Sequence, residues 1–167
     1  NSALLVQVSP VDWNGDVLGG IRLQRELERS AFRAGGGDYC APVQSVGDFL
    51  ARRTGTRDFA VAPTYAPGVR PADLHEVLPA FAAGALARAL VHWERRIPGF
   101  GAADIPLTGV ESRSSAPCRI LRDACTMQAE GTAGLYPIGE GAGYAGGIMS
   151  AALDGMKAAL AFLTQIQ

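Results

Sequence analysis

Apolar residues at helical spacing predict the first helix, over about residues 21–34. Its apolar face consists of Leu23, Leu27, Ala31 and Ala34, while arginine and glutamate side chains occupy most of the other face. The triple glycine at 35–37 should end this helix as a C-terminal cap. Ahead of it, the apolar run at residues 3–8 predicts a short buried strand that ends at Ser9-Pro10.

A second helical region is predicted between Pro71 and Ile97. Pro71 is suited to a helix start, and Pro79 should divide a short helix from a longer one. Apolar residues recur in the longer helix at steps of three and four: Leu78, Phe81, Ala85, Ala89, Trp93 and Ile97. His75 and His92 have no second ligand at metal-binding spacing, so we expect each to lie on the surface or pack in the core, and expect no metal site.

From Ile105 the pattern changes to short strand-like pieces, the last of them at residues 135–138, followed by a glycine-rich loop. The final helix, about residues 147–163, is apolar almost all round except for a stripe of Ser150, Asp154 and Lys157, which is typical of a buried helix. The pattern predicts an α+β fold with a boundary near residues 100–104, dividing residues 1–104 from 105–167.

Composition is that of a globular protein. The 167 residues are 48% hydrophobic and 19% charged, with a net charge of −1, which argues against disorder. The basic residues are scattered without interleaved aromatic residues, so we expect no nucleic-acid partner. The longest apolar run contains Arg88 and is shorter than the roughly 20 residues of a membrane span, so we expect no membrane partner.

The start of the chain has no basic region ahead of its apolar run, so we expect no signal peptide. It also lacks an initiator methionine and opens on that apolar run, which indicates a piece of a longer polypeptide. Cys118 and Cys125 are too far apart for a C-x-x-C redox motif or a zinc knuckle. With Cys40 they are best interpreted as small apolar residues in a reducing, cytoplasmic location.

The sequence GEGAGYAGG at residues 139–147 contains a literal G-x-G-x-x-G, formed by Gly141, Gly143 and Gly146. A strand, a glycine loop and a helix are the local setting in which backbone N–H groups bind a dinucleotide. The complete motif needs a βαβ unit of about 30 residues and an acidic residue about 20 positions further on. No Asp or Glu follows Asp154, so this is not the opening of a Rossmann domain. A ligand-binding loop and a simple tight turn remain open.

Four longer stretches carry a family resemblance: GGDYCAPVQSVGDFL, PGVRPADLHEVLP, LTGVESRSSAPCRILRD and GLYPIGEGAGYAGGIMSAALDGMKAA. Together they make the chain similar to the C-terminal part of the FAD-dependent dehydrogenase (NAD(P)/FAD-dependent oxidoreductase) family of bacterial flavoproteins. The resemblance implies that residues 1–104 are part of a substrate (insertion) domain. It implies that residues 105–167 are the C-terminal strand–loop–helix segment of an α/β FAD-binding domain.

The same resemblance implies a cofactor site. Gly139 and Glu140 would meet the ribityl hydroxyls of FAD, with the Glu140 carboxylate as acceptor. The remaining cofactor-binding positions are Gly141, Gly143, Tyr144, Gly146, Gly147 and Ile148, the last three through backbone N–H groups near the pyrimidine edge of the flavin. Tyr144 would either stack near the cofactor or fill the core. Arg113, Ser114 and Ser115 would border the flavin or substrate cleft.

The resemblance also has departures and consequences. Cys118 stands where the family pattern leads us to expect a β-branched residue, and no acid–base pair identifies a catalytic residue. We expect the parent protein to be an FAD-dependent oxidoreductase acting on a small-molecule substrate, with the missing N-terminal FAD-binding half as partner of this chain. Alone, the chain should not retain FAD, should be inactive, and should self-associate through apolar surface around its last helix. The alternative is a self-contained, non-enzymatic module whose loop binds a small molecule or anion, or only turns the chain.

Overall fold

The chain has a mixed α+β structure, as the sequence predicts. A computed structural model describes residues 2–55 and 57–165. After a 3-10 helix at Pro10–Trp13, the elements in chain order are α1 (Gly19–Ala34), β1 (Ala41–Ser45), α2 (Val46–Ala51), β2 (Val69–Pro71), α3 (Leu74–Val77), α4 (Ala80–Arg96), β3 (Pro106–Thr108) and α5 (Ile148–Gln165). The long helical patterns therefore correspond to observed helices, with ends that differ by a few residues from those predicted.

The chain divides into two compact units. The first contains Leu23–Ser112 and the residues up to Asp12, and the second contains Trp13–Arg22 and the residues from Arg113 onward. The glycine-rich loop and α5 both belong to the second unit. The assignment of residues 1–104 to a substrate domain and of 105–167 to an FAD-binding domain stays a prediction.

A three-stranded sheet in the order β2-β1-β3 organises the first unit. β1 pairs in parallel with β2, with Ala41 opposite Val69, and antiparallel with β3, with Val43 opposite Thr108. Ser45 ends β1 and caps α2, because its Oγ accepts a hydrogen bond from the Asp48 N–H at 3.1 Å. The chain therefore passes from β1 into α2 without an intervening loop.

The core of the first unit lies where α2, α3 and α4 meet. Its buried members are Val46, Phe49, Leu74, Ala83 and Leu90. Leu4 packs against this cluster, but the strand predicted for residues 3–8 is wrong: the segment has no regular secondary structure. No described strand pairs with it, and Leu5 and Val8 are exposed, so only part of its apolar surface is packed.

Pro79 separates α3 from α4, as predicted. The predicted helix start at Pro71 is wrong, because Pro71 ends β2 and Asp73 is the N-cap of α3, accepting the His75 N–H at 2.9 Å. The His75 ring stacks on Phe49 with centroids 4.4 Å apart, so this histidine packs against the core. Residues 2–55 and 57–165 contain no cluster of three or more metal-ligating side chains.

The apolar face predicted for α4 differs from the buried one. Ala83 and Leu90 are buried, whereas Phe81 and Trp93 are 41% and 40% exposed. Since α4 is apolar over most of its circumference, spacing alone could not select the side that packs on the core.

Irregular structure fills most of the second unit before α5. The strand expected at residues 135–138 is absent, and the segment containing Cys118 forms only an isolated bridge between Arg122 and Ala129. Pro137 has no N–H to give to a sheet, and its carbonyl oxygen accepts a hydrogen bond from Arg122 Nη1 at 2.7 Å. The Pro137 carbonyl is therefore bonded by the Arg122 side chain and not by the backbone of a neighbouring strand.

The helix predicted to be buried, α5, is largely exposed. Its buried residues are Asp154 and Ala158. The exposed apolar side chains are Ile148, Met149, Leu153, Met156, Leu160, Phe162 and Leu163. The second unit is too small to cover a helix that is apolar almost all round, so the expected apolar surface around the last helix is present. None of the helices formed by the described residues is long and apolar enough to cross a membrane.

Candidate functional site

Backbone hydrogen bonds close the glycine-rich loop into a compact turn. The Tyr144 N–H donates to the Gly139 carbonyl at 3.0 Å, and the Gly143 N–H donates to the Glu140 carbonyl at 2.9 Å. Gly139 and Gly143 have positive φ angles of 74° and 83°, a region that glycine adopts without strain. The loop is therefore a defined turn whose shape depends on these two glycines.

The turn packs against residues 118–122. The Ile120 N–H donates to the Ala142 carbonyl at 3.2 Å, and Arg119 Nε donates to the Gly143 carbonyl at 2.9 Å. A Cβ added to Gly143 would lie 2.5 Å from the Cys118 carbonyl oxygen, which is too close for any side chain. The Cys118 backbone thus explains why residue 143 is glycine.

Gly141 and Gly146 have a different environment. A Cβ built on either would meet nothing within 4 Å, and neither has a positive φ. Neither the described packing nor the backbone conformation therefore requires glycine at these positions. A bare backbone facing open space is the arrangement that lets a ligand approach N–H groups closely.

Glu140 and the start of α5 lie on either side of these open positions in the sequence. The Glu140 side chain is exposed, and within the described part of the chain its carboxylate has no hydrogen-bond or ion-pair partner. At the start of α5, Ile148 is 89% exposed. The first N–H groups of a helix have no partner inside it, so this end carries partial positive charge.

An ion pair behind the loop was missed by the sequence reasoning. Arg122 and Asp154 are paired through Nη2 and Oδ1 at 2.6 Å, with side chains 8% and 9% exposed. The hydrogen bond from Arg122 lowers the pKa of Asp154 from its ordinary 3.8 to about 2, against the opposing effect of burial and with help from the Gly139 N–H. The signal available in the sequence was Asp154 itself, an acidic residue within an otherwise apolar helix.

Tyr144 is half-buried and packs on two arginine side chains. The Arg122 guanidinium carbon lies 3.5 Å from the centre of its ring, that of Arg119 lies 4.9 Å away, and the hydroxyl donates to the Ile120 carbonyl at 3.0 Å. Of the two roles left open for Tyr144, internal packing is observed, and a contact with a cofactor stays a prediction.

The other predicted cleft residues lie in the same unit as the loop. Arg113, Ser114 and Ser115 are exposed, and their role at a flavin or substrate cleft stays a prediction. A wide surface cleft in the first unit is lined by Arg52, Arg53, Asp73 and Glu76 among others, and it contains none of the predicted site residues.

The chemistry of these groups is compatible with a flavin cofactor. The open backbone of Gly141 and Gly146 admits a flat or extended ligand, the Glu140 carboxylate can accept hydrogen bonds from hydroxyl groups, and the start of α5 favours negative charge. The arrangement can bind and orient a ligand, and within residues 2–55 and 57–165 it brings no acid–base pair to the loop.

Comparison with known proteins assigns the chain to a family. A sequence model described as "FAD-dependent protein, C-terminal domain-like" matches residues 1–114. An uncharacterized protein of Clostridium beijerinckii is 47% identical over 160 residues, which cover 95% of this chain and 30% of that protein. The chain therefore spans less than a third of the length of this relative. It belongs to the family of FAD-dependent protein C-terminal domains.

Proposed function

We propose that the chain is the C-terminal part of an FAD-dependent oxidoreductase of the dehydrogenase type. Within that protein, the loop at residues 139–147 and the first turn of α5 bind the flavin and ribityl portions of FAD. Bound FAD supplies the electron transfer, and the residues of this chain hold and orient it. The family match supports an FAD-dependent parent, and the relative's greater length supports a larger protein around this chain.

One observation carries the proposed binding site: Gly141 and Gly146 expose bare backbone for which the described packing gives no reason. Glu140 adds an exposed carboxylate at the entry of the same loop. In the proposal this carboxylate accepts hydrogen bonds from the ribityl hydroxyls, while the N–H groups of Gly146, Gly147 and Ile148 face the electron-rich edge of the flavin. The proposal also places Arg113, Ser114 and Ser115 at a flavin or substrate cleft, where a small-molecule substrate binds.

The rest of the parent protein is the proposed partner of α5. Its exposed apolar side chains, Met156 and Leu160 among them, form a surface larger than isolated apolar residues would give. In the proposal, the N-terminal FAD-binding half covers this surface and supplies most of the cofactor contacts. The isolated chain accordingly retains no FAD and is inactive. The free thiols of Cys40, Cys118 and Cys125 support a reducing, cytoplasmic location.

The experiment that tests this function is Glu140→Ala in the full-length parent protein. FAD content after purification should fall, and the dissociation constant of FAD should rise about 10- to 100-fold, since each lost hydrogen bond to a charged group is worth about 1.5–3 kcal/mol. Glu130→Gln is the matched control, because Glu130 is an exposed acidic residue of the same unit outside the loop. Unchanged flavin content in Glu140→Ala would contradict the proposal.

The alternative, a self-contained, non-enzymatic module whose glycine loop binds a small molecule or anion, predicts a different outcome. The isolated chain would then be monomeric and would bind inorganic phosphate or a nucleotide without the rest of the parent. The large exposed apolar surface of α5 argues against it.

A further inference from the structure

The buried ion pair between Arg122 and Asp154 lies at the point where the chain enters the glycine loop. Two hydrogen bonds join the side chains, Nη2 to Oδ1 at 2.6 Å and Nη1 to Oδ2 at 3.0 Å. This two-pronged arrangement fixes the guanidinium and carboxylate planes relative to one another. Because Asp154 is on α5, the pair ties the segment around Arg122 to that helix.

The same two side chains also hold the backbone just before the loop. Arg122 Nη1 donates to the Pro137 carbonyl at 2.7 Å, and Asp154 Oδ2 accepts the Gly139 N–H at 2.9 Å. The ion pair therefore holds the backbone of residues 137–139 through one hydrogen bond at each end. Glu140 follows directly, so its backbone position depends on these two hydrogen bonds.

A third contact extends this restraint into the middle of the loop. The Arg122 guanidinium lies against the ring of Tyr144, 3.5 Å from its centre, at a distance where a cation is attracted to the ring face. The entry of the loop, its centre and α5 are thus all linked through one buried guanidinium.

Net stabilisation does not explain such a pair well. Replacing a buried ion pair by apolar side chains of similar size is often neutral or even stabilising, whereas removing one partner alone is strongly destabilising. What apolar side chains cannot provide is directional hydrogen bonding to the Pro137 carbonyl and the Gly139 N–H. The distinctive contribution of the pair is therefore the position of the loop.

We infer that Arg122 and Asp154 are positioning residues for the FAD-binding loop. They hold Glu140 and the open backbone that follows it at a fixed place relative to the first turn of α5, without touching the cofactor. This inference rests on the proposed function of the loop, and it adds two residues that act on the cofactor only through the backbone.

The test compares Asp154→Asn with the double variant Arg122→Met/Asp154→Leu in the full-length protein, before and after loading with FAD. Asp154→Asn leaves a buried guanidinium without its counter-charge and should lower the unfolding temperature most. The double variant leaves no buried charge and should unfold at a temperature closer to that of the wild type. If the pair served stability alone, the double variant would therefore recover the unfolding temperature and would also bind FAD as the wild type does.

Two further measurements separate positioning from stability. Hydrogen exchange of the apoprotein, followed by mass spectrometry on peptides covering Gly139, should be about 10- to 100-fold faster at that amide in the double variant, which removes the charged acceptor of its hydrogen bond. Asp154→Asn keeps an oxygen that can accept this N–H, so it should accelerate exchange less. The dissociation constant of FAD, measured by reconstituting the apoprotein, should rise about tenfold in the double variant despite its recovered stability. Wild-type exchange and wild-type FAD affinity in the double variant would overturn the inference.

Glu140→Ala distinguishes this inference from the function on which it rests. It removes the proposed cofactor contact while leaving the ion pair intact, so it should weaken FAD binding without changing exchange at Gly139. If Glu140→Ala weakens FAD binding and the double variant does not, the positioning role is overturned and the proposed function stands. If neither variant weakens FAD binding, both are overturned.

Discussion

Acidification from pH 4 to pH 2 should destabilise the second unit through the protonation of Asp154. The Arg122 guanidinium and the Gly139 N–H stabilise the charged carboxylate, which lowers its pKa from 3.8 to about 2 in the folded chain. A carboxylate whose pKa is lowered by folding contributes stability above its unfolded pKa and loses it as the pH falls through the folded value. A pKa lowered from 3.8 to about 2 corresponds to about 2 kcal/mol of stability, all of it present at neutral pH.

Tryptophan fluorescence can isolate this effect, because each unit contains one of the two tryptophans. Trp13 belongs to the second unit and packs against Gly19 there, so the variant Trp93→Phe leaves it as the sole reporter. Urea unfolding of this variant at pH 6, 4, 3 and 2 gives the free energy of unfolding against pH. Other carboxylates also titrate in this range, so the quantity that matters is the difference from a variant without Asp154.

Asp154→Asn in the Trp93→Phe background supplies that difference. At neutral pH the free energy of unfolding should fall by about 3–5 kcal/mol, because the buried Arg122 loses its counter-charge. Between pH 4 and pH 2 the further loss should be about 2 kcal/mol smaller than with Asp154 present. Glu130→Gln, at an exposed position of the same unit, should change neither quantity. Parallel curves for Asp154→Asn and its parent below pH 4 would refute this account of the ion pair.

Two further predictions concern the loop and α5. Gly143→Ala should destabilise the second unit by about 1–3 kcal/mol, because residue 143 has a positive φ and the Cys118 carbonyl lies close to it. Gly141→Ala should change the free energy of unfolding by less than about 0.5 kcal/mol and mainly weaken FAD binding in the full-length protein. Equal urea midpoints for the two variants would be inconsistent with this. The isolated chain should self-associate through the exposed side of α5, and Met156→Lys/Leu160→Lys should reduce the mass measured by light scattering, while a monomer at high concentration in the unmodified chain would count against the idea.

Local signals in the sequence were sufficient for the helices. Helical spacing, the triple glycine after α1 and Pro79 between α3 and α4 act within a few residues, so α1, α3, α4 and α5 could be predicted. The side of α4 that packs on the core could not, since that depends on segments distant in the chain. The strand expected at residues 135–138 failed for the same reason: a strand needs a partner, and there a guanidinium bonds the Pro137 carbonyl instead.

The glycine-rich loop of the candidate site could be predicted from the sequence, but the ion pair that holds it in position could not. The glycines and Glu140 are recognisable because their spacing is local. The Arg122–Asp154 pair joins residues 32 positions apart, and neither residue belongs to a short motif. Its detection requires the folded geometry, although a lone acidic residue in the apolar helix α5 was a hint that a buried partner exists.

The contrast between the loop glycines has an evolutionary consequence. Glycine at 139 and 143 is demanded by positive φ angles and, at 143, by the neighbouring Cys118 backbone, so selection for a folded chain maintains both. Glycine at 141 and 146 meets no such demand and would be maintained by selection for the ligand. In relatives that no longer bind the cofactor but still fold, glycine should therefore be retained at positions 139 and 143 and replaced at positions 141 and 146. Substitutions at all four positions would indicate that the fold of the loop has been lost as well.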